Sequence, residues 1–209
     1  MYILSIDPGC KNLGYSLIKI NKKINFTNLE NNNIEQFFKD NNTEFIELNN
    51  INLHNFSNIY EKVITLLLNI LDKIKLKDDE FLHIIIEKQM KISVNISEIA
   101  SIINTFFITY FLVKEQNKKN YKITTISPHF KNKIAESIDS DGSIRIKYTN
   151  QYQYNKHLVE LYFLKLNEQL KLIDNEKYIT GSGKHILKLN DISDSFIQIL
   201  SFFKYYLKK

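Results

Sequence analysis

MYILSIDPGCKNLGYSLIKI (Met1–Ile20) opens with a β-rich run, Tyr2–Ile6, that stops at the turn signal Asp7-Pro8-Gly9. A second β-rich run, Tyr15–Ile20, follows, and Asn21-Lys22-Lys23 reads as a tight turn into a third strand, Ile24–Leu29. The opening therefore predicts a β-meander whose first strand ends on a carboxylate.

Farther along, residues 30–50 are asparagine-rich and accommodate a short helix around Ile34–Lys39. Asn55–Lys75 is helical by spacing, with Ile59, Val63, Leu66, Leu67, Ile70, Leu71 and Ile74 on one face. Phe81–Ile86 is apolar except for His83, as a buried central strand requires, and ends on Glu87. Ile96–Val113 predicts a buried amphipathic helix, because Ser97, Glu98, Ser101, Asn104, Thr105 and Thr109 interrupt what would otherwise pass for a membrane span. Tyr121–Ile126 predicts a strand ended by Ser127-Pro128, and Ser137–Tyr154 a hairpin around Asp141-Gly142. Leu158–Leu172 reads as a helix, Asn175–Lys188 as a loop, and Asp191–Leu207 as a last helix. A meander followed by alternating helices and strands predicts one α/β domain, residues 1–209, with a mixed sheet.

The 209 residues carry a formal charge of +5, which favours a polyanionic partner. Lysine dominates the 28 basic residues, with Arg145 the one arginine, and heavy Asn, Ile and Lys use also follows from AT-rich coding. The single cysteine, Cys10, excludes a disulfide framework and suits a reducing, cytoplasmic setting; its default reading is a small packing residue. No secretion signal opens the chain, and no membrane association is expected.

Four acids stand out. Asp7 and Glu87 each close a strand; alone, either is explained by a neighbouring lysine or a strand-end charge. Asp191 and Asp194 are spaced i, i+3 on one helical face, where Asp191 also suits an N-cap. Asp194 lies beside the apolar stripe Phe196, Ile199, Leu200 and Phe203. Carboxylates crowded against a core repel, and a divalent cation resolves that conflict. Mg²⁺ prefers oxygen ligands, and a pair of such ions can activate water and stabilise a leaving 3′-oxygen in phosphodiester cleavage.

The ordered set resembles the RNase H-like superfamily, and within it the poxvirus-type Holliday-junction resolvases and their RuvC-type relatives. The matching stretches are SIDPGCKNLGYSLI (Ser5–Ile18), IIIEKQ (Ile84–Gln89), TTISPHFK (Thr124–Lys131) and NDISDSFIQIL (Asn190–Leu200), spread over nearly the whole chain. Pro8 matches the bacterial enzymes more closely, and residues 137–154 read as an insertion. The resemblance implies a central five-stranded mixed sheet with the first strand in the middle. It implies a Mg²⁺-dependent endonuclease, with Mn²⁺ as a substitute, holding metal on Asp7, Glu87, Asp191 and Asp194. It further implies a homodimer that resolves four-way DNA junctions by paired symmetric nicks, at a viral replication site if the poxvirus likeness holds. A two-fold dimer suits a substrate of approximate two-fold symmetry.

The same resemblance points to a lysine near the metals. Lys156 in YNKHLVE (Tyr154–Glu160) is the first candidate and Lys131 the second. Lys11, Asn12, Lys88, Gln89 and Lys91 follow the catalytic strand ends and, with Lys131, are candidate DNA contacts; each is otherwise a solvated charge or loop residue. Tyr148, Tyr152 and Tyr154 can stack on unpaired bases or simply pack the loop. His83 reads as a core residue, and Gly181-Ser182-Gly183 as a flexible connection. Alternatives within reach are a broader branched-DNA or flap nuclease, an actin- or sugar-kinase-type ATPase, and a non-catalytic DNA scaffold. Scarce glycine, with no Asp-x-Gly-Gly segment, counts against the ATPase, and four retained acids count against the scaffold.

Overall fold

The computed structural model describes residues 1–9, 11–53, 58–77, 79–89, 94–113, 120–173 and 189–207. The expectations for Cys10, Lys91, the loop Asn175–Lys188 and its Gly181-Ser182-Gly183 lie outside the described residues.

Five strands form one mixed sheet: β1 (Tyr2–Asp7), β2 (Asn12–Ile20), β3 (Thr43–Asn52), β4 (Leu82–Glu87) and β5 (Tyr121–Ile126), in the order β3-β2-β1-β4-β5. β1, β2 and β3 are antiparallel neighbours, whereas β1, β4 and β5 run parallel. The first strand therefore sits in the middle, as expected. Alternation along the strands divides the sheet between two cores. Tyr2, Leu4, Ile6, Leu82, Ile84 and Ile86 pack with α3 (Ile59–Lys73) and α4 (Val94–Val113). Ile3, Ile85 and Ile126 face the other way, toward α1 (Thr27–Glu30), α2 (Ile34–Asp40), α5 (Pro128–Ala135), α6 (Gln151–Leu170) and α7 (Leu189–Phe202). Asp7 and Glu87 share the parity of Ile3 and Ile85, so both belong to the α7 face.

Several local expectations are corrected. The third strand is Thr43–Asn52; Ile24–Leu29 instead leads into α1. Asn41 ties that segment down, accepting from Asn25 N at 2.7 Å and donating to Asn25 O at 3.0 Å, while Leu29 drops into the core. Ser127-Pro128 does more than end β5: Ser127 accepts from His129 N and Pro128 starts α5. Residues 137–150 form no hairpin. They wrap around the Asp139 carboxylate, which accepts from Ile144 N and Arg145 N, and two 3₁₀ turns result. α6 begins at Gln151, earlier than the apolar spacing indicated, because Asn150 caps it by accepting from Tyr152 N at 2.8 Å. The last helix ends at Phe202 and continues as a π-helical turn, Phe203–Leu207.

The sequence leaves Ile96–Val113 open between a core helix and a dimer interface, and α4 is buried on one side only. Ile99, Ile103, Phe107 and Phe111, spaced by four, are buried against the sheet. Ile108, Leu112 and Val113 are exposed, and with Ile64 and Leu68 of α3 they leave an apolar face on the surface. Asn95–Val113 is long and apolar enough to cross a membrane by length and composition, but it is docked on the sheet by its buried row.

Candidate active site

Asp7 and Glu87 follow the paired positions Ile6 and Ile86 at the C-terminal ends of parallel neighbours β1 and β4. Crevices at such strand ends are where open α/β sheets bind ligands. α7 brings its acids to the same place through close contact with the sheet. Asp7 pairs with Gly14 across β1 and β2, and Gly14 lies directly beneath the backbone of Asp191. A Cβ on Gly14 would stand 2.1 Å from the Asp191 carbonyl oxygen, so only glycine permits this approach. Deeper in, Ser16 and Ser195 hydroxyls are 2.8 Å apart, and the Ser5 hydroxyl donates to Gln198 Oε1 at 3.2 Å. Ser5 and Ser16 are register partners, so small polar residues prepare the bed in which α7 lies.

Lys131 occupies the middle of the cluster. α5 starts two residues after Ile126, the register partner of Glu87, and its first turn carries Lys131 back over the strand end. Lys131 Nζ is 2.5 Å from Glu87 Oε2 and 2.9 Å from Asp194 Oδ1, and the residue is only 7% exposed. It is thus enclosed within the acids and does not face outward as a DNA-contacting lysine would.

The electrostatics follow from burial and crowding. Burial, then the Glu87 carboxylate, pushes the Asp7 carboxyl well above the usual range, against the opposing pull of Lys131. Glu87 is also raised, chiefly by burial, with Lys131 opposing and Asp194 reinforcing. Burial disfavours the Lys131 ammonium, but Asp194, Glu87 and Asp7 overcome this and hold its pKa well above an ordinary lysine's. Lys156 is shifted upward too: burial opposes its charge, while the Asp194 carboxylate favours it. Four carboxylates thus lie within electrostatic reach of two ammonium groups, and burial together with neighbouring carboxylates raises Asp7 and Glu87.

Among the described residues no three acidic or histidine side chains stand in metal-ligand geometry as they are placed; instead Lys131 bridges Glu87 and Asp194. The donor chemistry nevertheless fits a hard divalent cation: oxygen ligands only, partly to fully buried, four carboxylates against two ammonium groups. Asp191 lies in the first described turn of α7, which begins at Leu189, and so is not its N-cap. Lys11 and Lys88 are exposed beside the strand ends, with Asn12 and Gln89 partly covered. His83, expected in the core, is only half-buried, between the rings of Phe81 and Phe202, with its pKa lowered to about 4 chiefly by burial.

The central place of Lys131 was visible in the sequence only as a lysine after a strand and Ser-Pro. Recognising Ser127 as a cap and Pro128 as a first helical residue would have placed it one turn into a helix. The Ser5–Ser16 bed beneath α7 was missed, although two serines within apolar strands were a signal of close helix approach.

Solved structures share this fold. The fowlpox virus resolvase in complex with substrate Holliday junction DNA superposes with a TM-score of 0.55 at 20% identity, over 99% of both chains. The fold is that of the RuvC-type resolvases. T. thermophilus RuvC in complex with a Holliday junction substrate gives 0.52 at 9% identity, over 100% of this chain and 96% of that one. The yeast mitochondrial Holliday junction resolvase Ydc2 gives 0.53 at 14% identity, over 96% and 78%. No family model matches the sequence, and no curated protein does. The RuvC-type architecture is the RNase H-like α/β fold anticipated from the sequence, with a five-stranded mixed sheet flanked by helices.

Proposed function

We propose that this chain is a divalent-metal-dependent, structure-selective DNA endonuclease that resolves four-way junctions by paired nicks. The observation that carries the reading is the convergence of Asp7, Glu87, Asp191 and Asp194, with two lysines, at the C-terminal strand ends of a RuvC-type sheet. Junction DNA is the ligand of the fowlpox and T. thermophilus neighbours, which supports that substrate class here.

Asp7, Glu87, Asp191 and Asp194 would hold Mg²⁺, or Mn²⁺ in its stead, and the bound metal would supply a nucleophilic water and stabilise charge on the leaving 3′-oxygen. The protein's own groups perform the rest. Lys156, whose charge the Asp194 carboxylate favours, would receive a phosphate oxygen. Lys131 balances Glu87 and Asp194 and keeps these two side chains together. Lys11, Asn12, Lys88 and Gln89 at the strand ends contact the flanking backbone, with Lys91 beyond Gln89 in sequence. Water attack on the phosphodiester then breaks the bond to the 3′-oxygen, leaving a 3′-hydroxyl and a 5′-phosphate.

Paired nicks require two sites. The apolar face formed by Ile64, Leu68, Ile108, Leu112 and Val113, with a groove of about 580 Å³ along α4, supplies a surface on which a second copy would pack. The deciding experiment offers an immobile four-way junction with Mg²⁺, alongside duplex, flap and single-stranded controls. Symmetric nicks confined to the junction are expected. Cutting spread evenly over all substrates would leave only a broader nuclease, and no cutting of any would sink the assignment.

A further inference from the structure

Tyr148, Tyr152 and Tyr154 have three different surroundings. Tyr154 is buried, and its hydroxyl donates to Asp139 Oδ2 at 2.8 Å. The Arg145 guanidinium lies 5.1 Å from the Tyr154 ring centroid and donates to Tyr148 O. Tyr148 is half-buried, its ring 5.3 Å from that of His157 and 6.2 Å from that of Tyr154. These two rings pack the 137–150 segment onto α6. Tyr152 takes no part in that packing and is 64% exposed.

Its position is nevertheless held. Tyr152 N donates to the Asn150 cap at 2.8 Å, which fixes its backbone on the first turn of α6. One turn later, Lys156 Nζ lies 5.3 Å from the Tyr152 ring centroid. The same ammonium interacts electrostatically with Asp194 and Asp191. An exposed aromatic ring thus stands beside a cation that is within electrostatic reach of the acidic cluster. An ammonium and a ring side by side match the phosphate and base of one nucleotide: the first takes the charge, the second the π-face.

We propose that Tyr152 is the stacking platform for the nucleobase next to the cleaved phosphate, with Lys156 on that phosphate. This rests on the nuclease reading above and deepens it. In a continuous duplex each base keeps its own stacking neighbours, so Tyr152 has nothing to receive. At a branch point a base is free to leave the stack, and Tyr152 replaces the lost neighbour. Tyr152 then contributes to the preference for branched over linear DNA, acting on substrate binding rather than on the chemistry.

The test uses a four-way junction carrying 2-aminopurine at the nucleotide flanking the mapped cut, with wild-type protein, Tyr152→Phe and Tyr152→Ala. Because the side chain is exposed, all three are expected to melt alike. Tyr152→Ala should raise KM for the junction roughly tenfold, the size of a lost base–aromatic stack, with kcat little changed. Bound 2-aminopurine should be brighter with Tyr152→Ala than with the wild type, and Tyr152→Phe should restore both readouts. A wild type that cuts the junction while Tyr152→Ala shows the same KM and fluorescence overturns the platform alone. A wild type that neither binds nor cuts the junction overturns the platform together with the nuclease reading.

Discussion

Lys131 and Glu87 form a buried ion pair, Nζ to Oε2 at 2.5 Å, at the point where a sheet strand and a surface helix meet around further carboxylates. A buried cation of this kind organises its surroundings, because removing one member leaves the other charged and without compensation. Asp194 shares the same ammonium, at 2.9 Å, so α5 links the end of β4 to α7 by charge as well as by packing.

Replacing that lysine should expose the repulsion it masks. Lys131→Met is expected to lower the melting temperature of metal-free protein by on the order of 10 °C, from about 3–5 kcal/mol of lost pairing. Added Mg²⁺ should recover more of the loss in the variant than it adds to the wild type, because the ion then supplies the missing positive charge. Thermal unfolding with and without Mg²⁺ checks both points, and an unchanged melting temperature would contradict the structural role.

Asp7 should behave oppositely. Its carboxyl is pushed well up by burial and by Glu87, so the folded protein holds this proton more tightly than the unfolded chain does. The stability it contributes is fully present below the ordinary aspartate range and is lost as pH rises from there through the elevated folded value. Asp7→Asn removes that loss. At neutral pH the metal-free variant should be more stable by about 1 kcal/mol, or roughly 2–4 °C, while junction cleavage falls to background. Melting curves over a pH series, run beside a cleavage assay, would reveal whether the carboxylate is strained in this way; a destabilised variant would say it is not.

Gly14→Ala tests the approach of α7. The added methyl meets the Asp191 backbone rather than a movable side chain, so the helix must shift. A loss of about 1–3 kcal/mol is expected, accompanied by at least a tenfold loss of cleavage as Asp191 moves away from Asp7. An alanine variant that matches the parent in both stability and rate would mean the helix can yield without harm.

Leu112→Glu tests the apolar face of α4. Leu112 is 58% exposed, so the substitution leaves the core intact and places a charge where a second copy would pack. Sedimentation should change from dimer to monomer. On a plasmid cruciform, products should change from linear molecules, which need two nicks, to nicked circles. Dimers that survive the substitution would move the interface elsewhere.

Much of this architecture was legible in the sequence because it is written in local periodicity. Strands β1, β2, β4 and β5, helices α2, α3 and α4, and the position of Asp7 and Glu87 at strand ends all follow from short apolar patterns bounded by turns. The motif order around Asp7, Glu87, Asp191 and Asp194 also carried the resemblance. Local pattern failed where a single polar side chain captured backbone that apolar spacing does not mark: Asn41 holding Asn25 out of a strand, and the Asp139 carboxylate gathering its loop into 3₁₀ turns.

The acids themselves show the division most clearly. By itself the sequence determined which carboxylates end strands and which share a helical face, since those facts depend on residues within a few positions. Only the tertiary structure decided that Lys131 stands among them, that Gly14 admits α7, and that Tyr152 rather than Tyr148 or Tyr154 is left exposed, beside Lys156. Burial, close approach and the sharing of one ammonium by two acids depend on where distant segments meet in space, and no local spacing encodes that.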